Sequence, residues 1–361
     1  MSHLTLVLDK CSSCGICVEE CAFLRKIGKT PRQIAEGLLR GDEELRGCQF
    51  LCFLCGLCKA VCPNQVDVAE MMLESRRNLA ELFVQQNMCY RINLPDEPVF
   101  LISAFKERMS IDFSAYASKT FKYALLPGCS MCCFSPRAVI KLYELLTEEL
   151  GDVGVLDLCC GKPLYDLGLE SRARRWLERR LTAELESHEC EVIITACPNC
   201  FYYLKSKLSN RYELVTPYEI LEDYFKHRLR DVTLAIHDSC PDRFEGVFAE
   251  QVRRILSESR VIEMAHSKRK ALCCGAGGLV SCNNTILPST LVKMRLSEFA
   301  DTGASLMVVY CYTCASTFWS LQQSVEFKHL LNLLLNVEDS SDVVKRGELG
   351  KIFMEIVTSQ V

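Results

Sequence analysis

Two cysteine runs near the N-terminus carry the clearest chemistry: Cys11-x2-Cys14-x2-Cys17-x3-Cys21 and Cys52-x2-Cys55-x2-Cys58-x3-Cys62, the second followed by Pro63. Thiolates are soft ligands that suit iron–sulfur clusters or zinc. Each run supplies one thiolate per iron of a cubane [4Fe–4S] cluster. Three closely spaced cysteines wrap one face, and the fourth, three residues on, enters a helix from which it can ligate a neighbouring cluster. Zinc usually takes two separated ligand pairs in tetrahedral geometry, and neither run contains a histidine. Two cubane [4Fe–4S] clusters are therefore expected here.

A second pattern occupies the rest of the chain. It reads Pro127-Gly128-Cys129, Cys159-Cys160-Gly161-Lys162-Pro163-Leu164 and Cys197-Pro198-Asn199-Cys200. It then reads His237-Asp238-Ser239-Cys240, Cys273-Cys274-Gly275-Ala276-Gly277-Gly278 and Cys311-Tyr312-Thr313-Cys314. Cys159, Cys160, Cys197 and Cys200 recur at one constant offset as Cys273, Cys274, Cys311 and Cys314, with Cys129 recurring as Cys240, so this part is an internal repeat. Adjacent cysteines diverge unless the backbone turns sharply. Gly161 and Gly275 supply that turn, because glycine tolerates positive φ and close approach, and both are expected at the cofactor. Each lobe offers five thiolates, one more than a cubane needs. The spare ligand argues for a larger, noncubane [4Fe–4S] cluster in each lobe, with zinc in one lobe as an open alternative.

Other residues have competing readings. Cys89 and Cys190 read as small buried hydrophobes, Cys48 as a neighbour of Cys52, and Cys132 or Cys133 as a substitute ligand in lobe one. Cys282 also lies outside the motifs. His237, three residues before Cys240, is the candidate catalytic residue, a proton donor to a departing thiolate; a structural hydrogen-bonding role is equally open. Lys162 reads either as a site for an anionic substrate tail or as a charge that tunes the cluster. His3, His188 and His227 read as solvated. The Gly275-x-Gly277-Gly278 stretch lacks the ordered dinucleotide fingerprint and its downstream acid, and no flavin, nicotinamide or nucleotide site is visible.

The elements that position these groups follow from the pattern between them. Residues 1–95 form the two-cluster region, with helical segments at Arg32–Arg46 and Val68–Gln86; 96–120, with Pro98, reads as a linker. From 121 onward short apolar runs alternate with helices: Tyr123–Leu126, Val155–Leu158, Val192–Thr195, Thr233–Ile236 and Leu306–Val309, against Arg137–Leu150, Arg172–Ser187 and Pro288–Ala300. Alternation of this kind predicts parallel α/β architecture. The expected fold class is α+β multidomain: a mainly helical N-terminal domain, then α/β lobes over 121–231 and 232–340, and a charged, helical tail over 341–361.

Composition narrows the setting. The chain has 24 cysteines among 361 residues, which in a small secreted chain would suggest a disulfide framework. Tight CxxC and CC groups pair awkwardly, and the short apolar run Leu4–Leu8 is shorter than the roughly 7–15 residues of a signal h-region. A reduced, cytoplasmic setting is expected. No run approaches the roughly 20 apolar residues of a transmembrane helix. A formal net charge of −4 with interspersed signs gives no nucleic-acid footprint.

The tetrad spacing is that of bacterial ferredoxins, with Ala22 where those usually place proline. Its helical gap resembles the ferredoxin domains attached to respiratory dehydrogenases and reductases. The motifs PGCS, CCGxPL, HDxC and CCGAGG resemble the CCG-domain proteins. Over about residues 8–335 the chain is similar to the fused ferredoxin/CCG catalytic subunit of heterodisulfide reductase. It is also similar to the iron–sulfur subunits of glycolate, lactate and anaerobic glycerol-3-phosphate dehydrogenases. Ser239 stands where relatives often have proline, and Tyr312-Thr313 replace a proline-containing pair. The resemblance implies that each lobe takes one half of a disulfide substrate and cleaves the S–S bond reductively. Electrons would come through the cubanes from a flavoprotein subunit or a membrane cytochrome, with the chain held peripherally on the inner membrane face. Relatives that only relay electrons sometimes have one degraded lobe, whereas both lobes here keep every cysteine. The alternative is an electron-relay subunit between a flavin-dependent 2-hydroxyacid or glycerol-3-phosphate dehydrogenase and quinone.

Overall fold

The structure is a computed structural model that describes residues 2–117, 120–321 and 325–338, with Lys351 and Glu355. The expected tail over 341–361 lies outside the described residues apart from those two.

Helices dominate up to Gln86. Ser2 caps His3–Lys10, and Thr30 and Gln33 form a reciprocal capping box at Pro31–Arg40, satisfying donors that a helix start leaves open. With Val68–Arg76 these helices bury Val7, Ile34, Ala35, Met71 and Met72, each fully buried large side chain contributing roughly 1.5–3 kcal/mol. That small core backs both cysteine runs. The helix expected over Val68–Gln86 is two, Val68–Arg76 and Ala80–Gln86, and Arg76 at the break turns fully inward. The stretch expected as a linker holds a helix, Leu101–Arg108, whose Phe105 joins Phe113 and Phe134 in the main core.

Eight short strands follow among the described residues. β1 (Tyr123–Leu125), β2 (Val153–Val155), β3 (Val192–Ile194) and β4 (Glu213–Val215) form one sheet. β5 (Thr233–His237), β6 (Arg260–Val261), β7 (Leu306–Val309) and β8 (Phe327–His329) form another. Both are parallel and share one order, β2-β1-β3-β4 and β6-β5-β7-β8, so the sequence repeat is a structural repeat. The central strands are buried along all but their first residue, and β3 throughout, as parallel sheets covered by helices require. In such open sheets the strand order reverses beside the first strand, and the crevice outside the carboxyl ends is where ligands sit. The ten motif cysteines of the lobes, Cys129 to Cys200 and Cys240 to Cys314 in the repeated pattern, all lie in segments that follow a strand's carboxyl end.

The lobes face each other reciprocally. The helix after β1, Cys129–Phe134, packs on the helix after β7, Tyr312–Leu321; the turn after β5, Cys240–Asp242, packs on the helix after β3, Pro198–Leu208. A first-strand segment of each lobe thus meets a third-strand segment of the other, the pairing that a two-fold relation demands. One core joins them, including Ile194, Phe201, Ile236, Phe248 and Val308.

Arg76 ties the lobes to the N-terminal domain. It is 0% exposed. Its Nε donates to Gln49 O at 3.0 Å, Nη2 to Cys52 O at 2.6 Å, and Nη1 to Asp166 O at 2.5 Å and Gly278 O at 3.1 Å. One side chain thereby joins the second cysteine run, lobe one and lobe two. Arg76→Ala strips these carbonyls of their donor and is expected to cost about 3 kcal/mol or more, read as a lowered midpoint in chemical denaturation. An unchanged midpoint would contradict this role.

Candidate metal centres

In the N-terminal domain the cysteines regroup across the two runs. Cys17 is surrounded by Cys11, Cys14 and Cys62, while Cys21 faces Cys52 and Cys55, and Cys58 faces Cys21, Cys52 and Cys55. The fourth cysteine of each run has crossed to the other set, as the spacing allows. Ser13 and Leu54 occupy equivalent places with φ of 57° and 54°. These left-handed residues curl each loop around its thiols, and the Leu54 N–H points at Cys52 Sγ, 3.5 Å away. Burial pushes Cys17 up to about 11, with the neighbouring thiols adding, and Cys52 up to about 12 against the opposing pull of Arg76. Thiols that are costly to ionise alone release their protons when a cation binds.

In the lobes, Cys129, Cys159, Cys160, Cys197 and Cys200 line one cavity of about 160 Å³, and Cys240, Cys274 and Cys314 line the same cavity from the other side. Cys273 contacts Cys240 and Cys274, and Cys311 contacts Cys314. The structure thus gathers each set of five and turns the sets toward each other. Gly161 and Gly275 have φ of 85° and 94°. This aims the Gly161 N–H at Cys159 Sγ (3.4 Å) and the Gly275 N–H at Cys273 Sγ (3.3 Å). In each pair the first thiol is pushed up by hydrogen bonds with its neighbours and by burial. The second, Cys160 or Cys274, is drawn down because neighbouring thiols donate to it.

The sets connect. Cys55 of the second run contacts Cys273 of lobe two, and this contact, with Arg243 adding against burial, lowers Cys55 to about 6. Cys197 of lobe one contacts Cys311 of lobe two. The glycines of CCGAGG explain the first junction. A Cβ on Gly277 would lie 2.2 Å from Phe53 O, and one on Gly278 2.4 Å from Cys52 O. These glycines admit the second run's backbone rather than a nucleotide. Arg243 seals the joint, donating to Cys55 O, Arg269 O and Ala271 O.

The remaining expectations resolve individually. Cys132 and Cys133 sit in the main core, Cys132 against Asp157 and Cys133 toward Ile102 O. Cys48 and Cys190 are buried among apolar side chains. Cys89 is not a simple buried hydrophobe: it forms a disulfide with Cys282, joining Met88–Arg91 to the loop after CCGAGG. Lys162 lines the shared cavity but pairs with both oxygens of Asp166. Burial disfavours its charge, yet Asp166 outweighs that and its pKa stands above the ordinary value. His227 contacts Glu258, His3 Glu74, and His188 stacks on Phe121. His237 is buried behind Cys274. Sequence reasoning passed over Arg76, Arg243 and Arg295. Their only signal is an arginine within an otherwise apolar helix face or beside a motif.

Buried thiols at this density, with backbone N–H groups and buried guanidinium groups turned toward them, fit thiolate-ligated iron–sulfur clusters. Comparison with known proteins agrees. Residues 7–66 match the 4Fe-4S dicluster domain, and 123–205 and 234–319 each match the cysteine-rich CCG domain. The chain is a CCG-domain iron–sulfur protein. It is 24% identical to one subunit of the dihydromethanophenazine:CoB–CoM heterodisulfide reductase of Methanosarcina acetivorans, over 91% of this chain and 93% of the relative. It is 25% identical to one subunit of the fumarate reductase (CoM/CoB) of Methanothermobacter marburgensis, over 86% of this chain. An iron–sulfur protein of Methanocaldococcus jannaschii is 24% identical over 85% of this chain. The chain spans about two thirds of the length of these last two, 67% and 66%. No helix among the described residues is long and apolar enough to cross a membrane.

Gly275→Ala places a Cβ 2.9 Å from Pro288 Cα at a φ that side chains avoid. It is expected to misplace Cys273 and Cys274 and remove about four irons per chain, one [4Fe–4S] cluster. Full iron by colorimetric assay would contradict the role given to this turn.

Proposed function

We propose that the chain is a heterodisulfide-reductase-like subunit that carries electrons through two cubane clusters to two noncubane clusters and reduces a small disulfide between the lobes. Cys11, Cys14, Cys17 and Cys62 hold the outer cubane, and Cys21, Cys52, Cys55 and Cys58 the inner one. Cys129, Cys159, Cys160, Cys197 and Cys200 hold the lobe-one centre, and Cys240, Cys273, Cys274, Cys311 and Cys314 that of lobe two. Bound at these positions, the clusters supply single electrons and iron sites that a substrate sulfur can reach. Two electrons and two protons convert the disulfide to two thiols.

The observation that carries this reading is the single cavity lined by cysteines of both lobes, which can present one face to each half of a disulfide at once. Cys14 is exposed, as is Ile16 beside it. A flavoprotein or membrane-cytochrome donor docking there meets the outer cubane first. The Cys55–Cys273 contact then makes lobe two the receiving lobe, and Cys197–Cys311 passes charge to lobe one. The relatives' names, a heterodisulfide reductase and a CoM/CoB-linked fumarate reductase, favour thiol–disulfide chemistry. The same unbroken line of thiols also suits the second reading, an electron-relay subunit serving a flavin-dependent dehydrogenase.

The test is anaerobic oxidation of reduced viologen by the iron-loaded chain with a panel of small disulfides. Turnover is expected, and Cys274→Ser is expected to lower it by at least tenfold. Absence of turnover from fully loaded protein would favour the relay.

A further inference from the structure

We propose that His237, locked in one tautomer by Arg295, is a positioning residue that gives the lobe-two centre a hydrogen bond that lobe one lacks, so that the two centres differ in reduction potential. This inference rests on the cluster assignment above.

His237 ends β5 and is 1% exposed. Arg295, also fully buried, donates from Nε to His237 Nδ1 at 3.0 Å. The guanidinium is itself held by Ile236 O, His266 O and the Glu298 carboxylate, so it cannot turn away, and an arginine has no lone pair to accept a proton in return. Nδ1 must therefore be the acceptor, and the single proton of the neutral ring sits on Nε2. With Nδ1 accepting from Arg295, the ring carries no second proton and is neutral. Nε2 has no hydrogen-bond partner among the described residues; a ring nitrogen of His237 lies with Cys274 Sγ and Cys314 Sγ in a group whose atoms are all within 4.8 Å of one another, and with Nδ1 held by Arg295 it is Nε2 that is free to face the sulfurs. A protonated Nε2 cannot ligate a metal. Giving up its last proton would create an imidazolate, so it is also a poor acid. What it does well is donate N–H to a sulfur, and hydrogen bonds to sulfur are among the groups that set cluster potentials. They stabilise the more negative, reduced state and raise the potential.

Lobe one has the same places filled otherwise. Leu126 stands three residues before Cys129, as His237 does before Cys240, and Leu181 stands at the position that Arg295 holds after the Cys-Cys pair. Leu126 and Leu181 are both 0% exposed and share an apolar cluster with Cys160 and Cys200. The repeat thus preserves the ligands and exchanges a histidine–arginine pair for two leucines. The donor sits in the lobe that contacts the second cysteine run, where a raised potential draws electrons from the inner cubane.

Redox titration of the iron-loaded full chain, followed by electron paramagnetic resonance, tests this. The lobe-two signal is the one lost in Cys274→Ser. His237→Leu, which copies lobe one, is expected to shift the lobe-two reduction equilibrium about tenfold toward the oxidised state, ~59 mV for one electron. His237→Gln, which restores an N–H, should recover part of the shift, and the lobe-one signal should stay in place. A lobe-two potential unchanged in His237→Leu at full iron content overturns the inference and leaves the cluster assignment standing. Should His237→Leu lose iron, Arg295→Met keeps the imidazole but frees its tautomer, and an unchanged potential there overturns the inference equally. If Cys274→Ser loses no signal present in the unaltered protein, the assignment falls and the inference with it.

Discussion

Everything in this molecule depends on burying sulfur-rich, charge-bearing centres in a protein interior. A buried anion is costly unless cations and hydrogen-bond donors surround it, and the chain meets that cost with arginines and with glycine-enabled backbone donors. Arg76 has no carboxylate partner at hydrogen-bonding distance among the described residues. Four backbone carbonyls from three regions take its protons, and the Cys52 thiol and the Asp166 carboxylate balance its charge from nearby. Arg243 repeats the device between Cys55 and lobe two. A guanidinium so buried is favourable where negative charge lies close by, and the thiols gain from the same proximity. Folding of the domain junction and loading of the metal sites are thereby linked.

The duplicated lobes show how one scaffold takes two roles. Topology, register and the Gly–N–H to sulfur contact are shared. Differences gather where the lobes meet different neighbours. Lobe two admits the second cysteine run through Gly277 and Gly278 and backs its thiols with His237 and Arg295. Lobe one fills the corresponding volume with leucines and closes its turn with Trp176, whose indole packs on Gly161 and donates to Cys159 O at 2.9 Å. A repeat that preserved every contact would leave its two centres alike. Here the surroundings of the two sets of thiols differ: His237 and Arg295 stand behind Cys274, and Leu126 and Leu181 behind Cys160.

The cysteine groups that the structure gathers were legible because metal binding constrains spacing: two tetrads, two Cys-Cys-Gly turns and their partners stand out by residue type and interval. The parallel α/β lobes were legible in the same way, since each buried central strand is an apolar run leading toward a cysteine. Edge strands were not. β4, β6 and β8 carry Glu213, Arg260 and Lys328 and have no apolar alternation to mark them, and β2 starts two residues early, at Val153, with the side-chain-free Gly154 against Phe121. Long-range pairings were equally invisible: Cys89 with Cys282 across 193 residues, and Arg76 with Gly278. His237 was visible as a candidate from its place beside Cys240. Its orientation was not, because the proton's position is decided by Arg295, which nothing in the local sequence connects to it.

The central claim is that four clusters share one chain, and Mössbauer spectroscopy of protein reconstituted with iron-57, quantified against protein concentration, tests it most directly. The account predicts about sixteen irons per chain, four in each [4Fe–4S] cluster, with half the intensity in a cubane pattern and half in a second pattern of different isomer shift and splitting. About eight irons per chain, all cubane, would contradict it and leave the lobes without clusters.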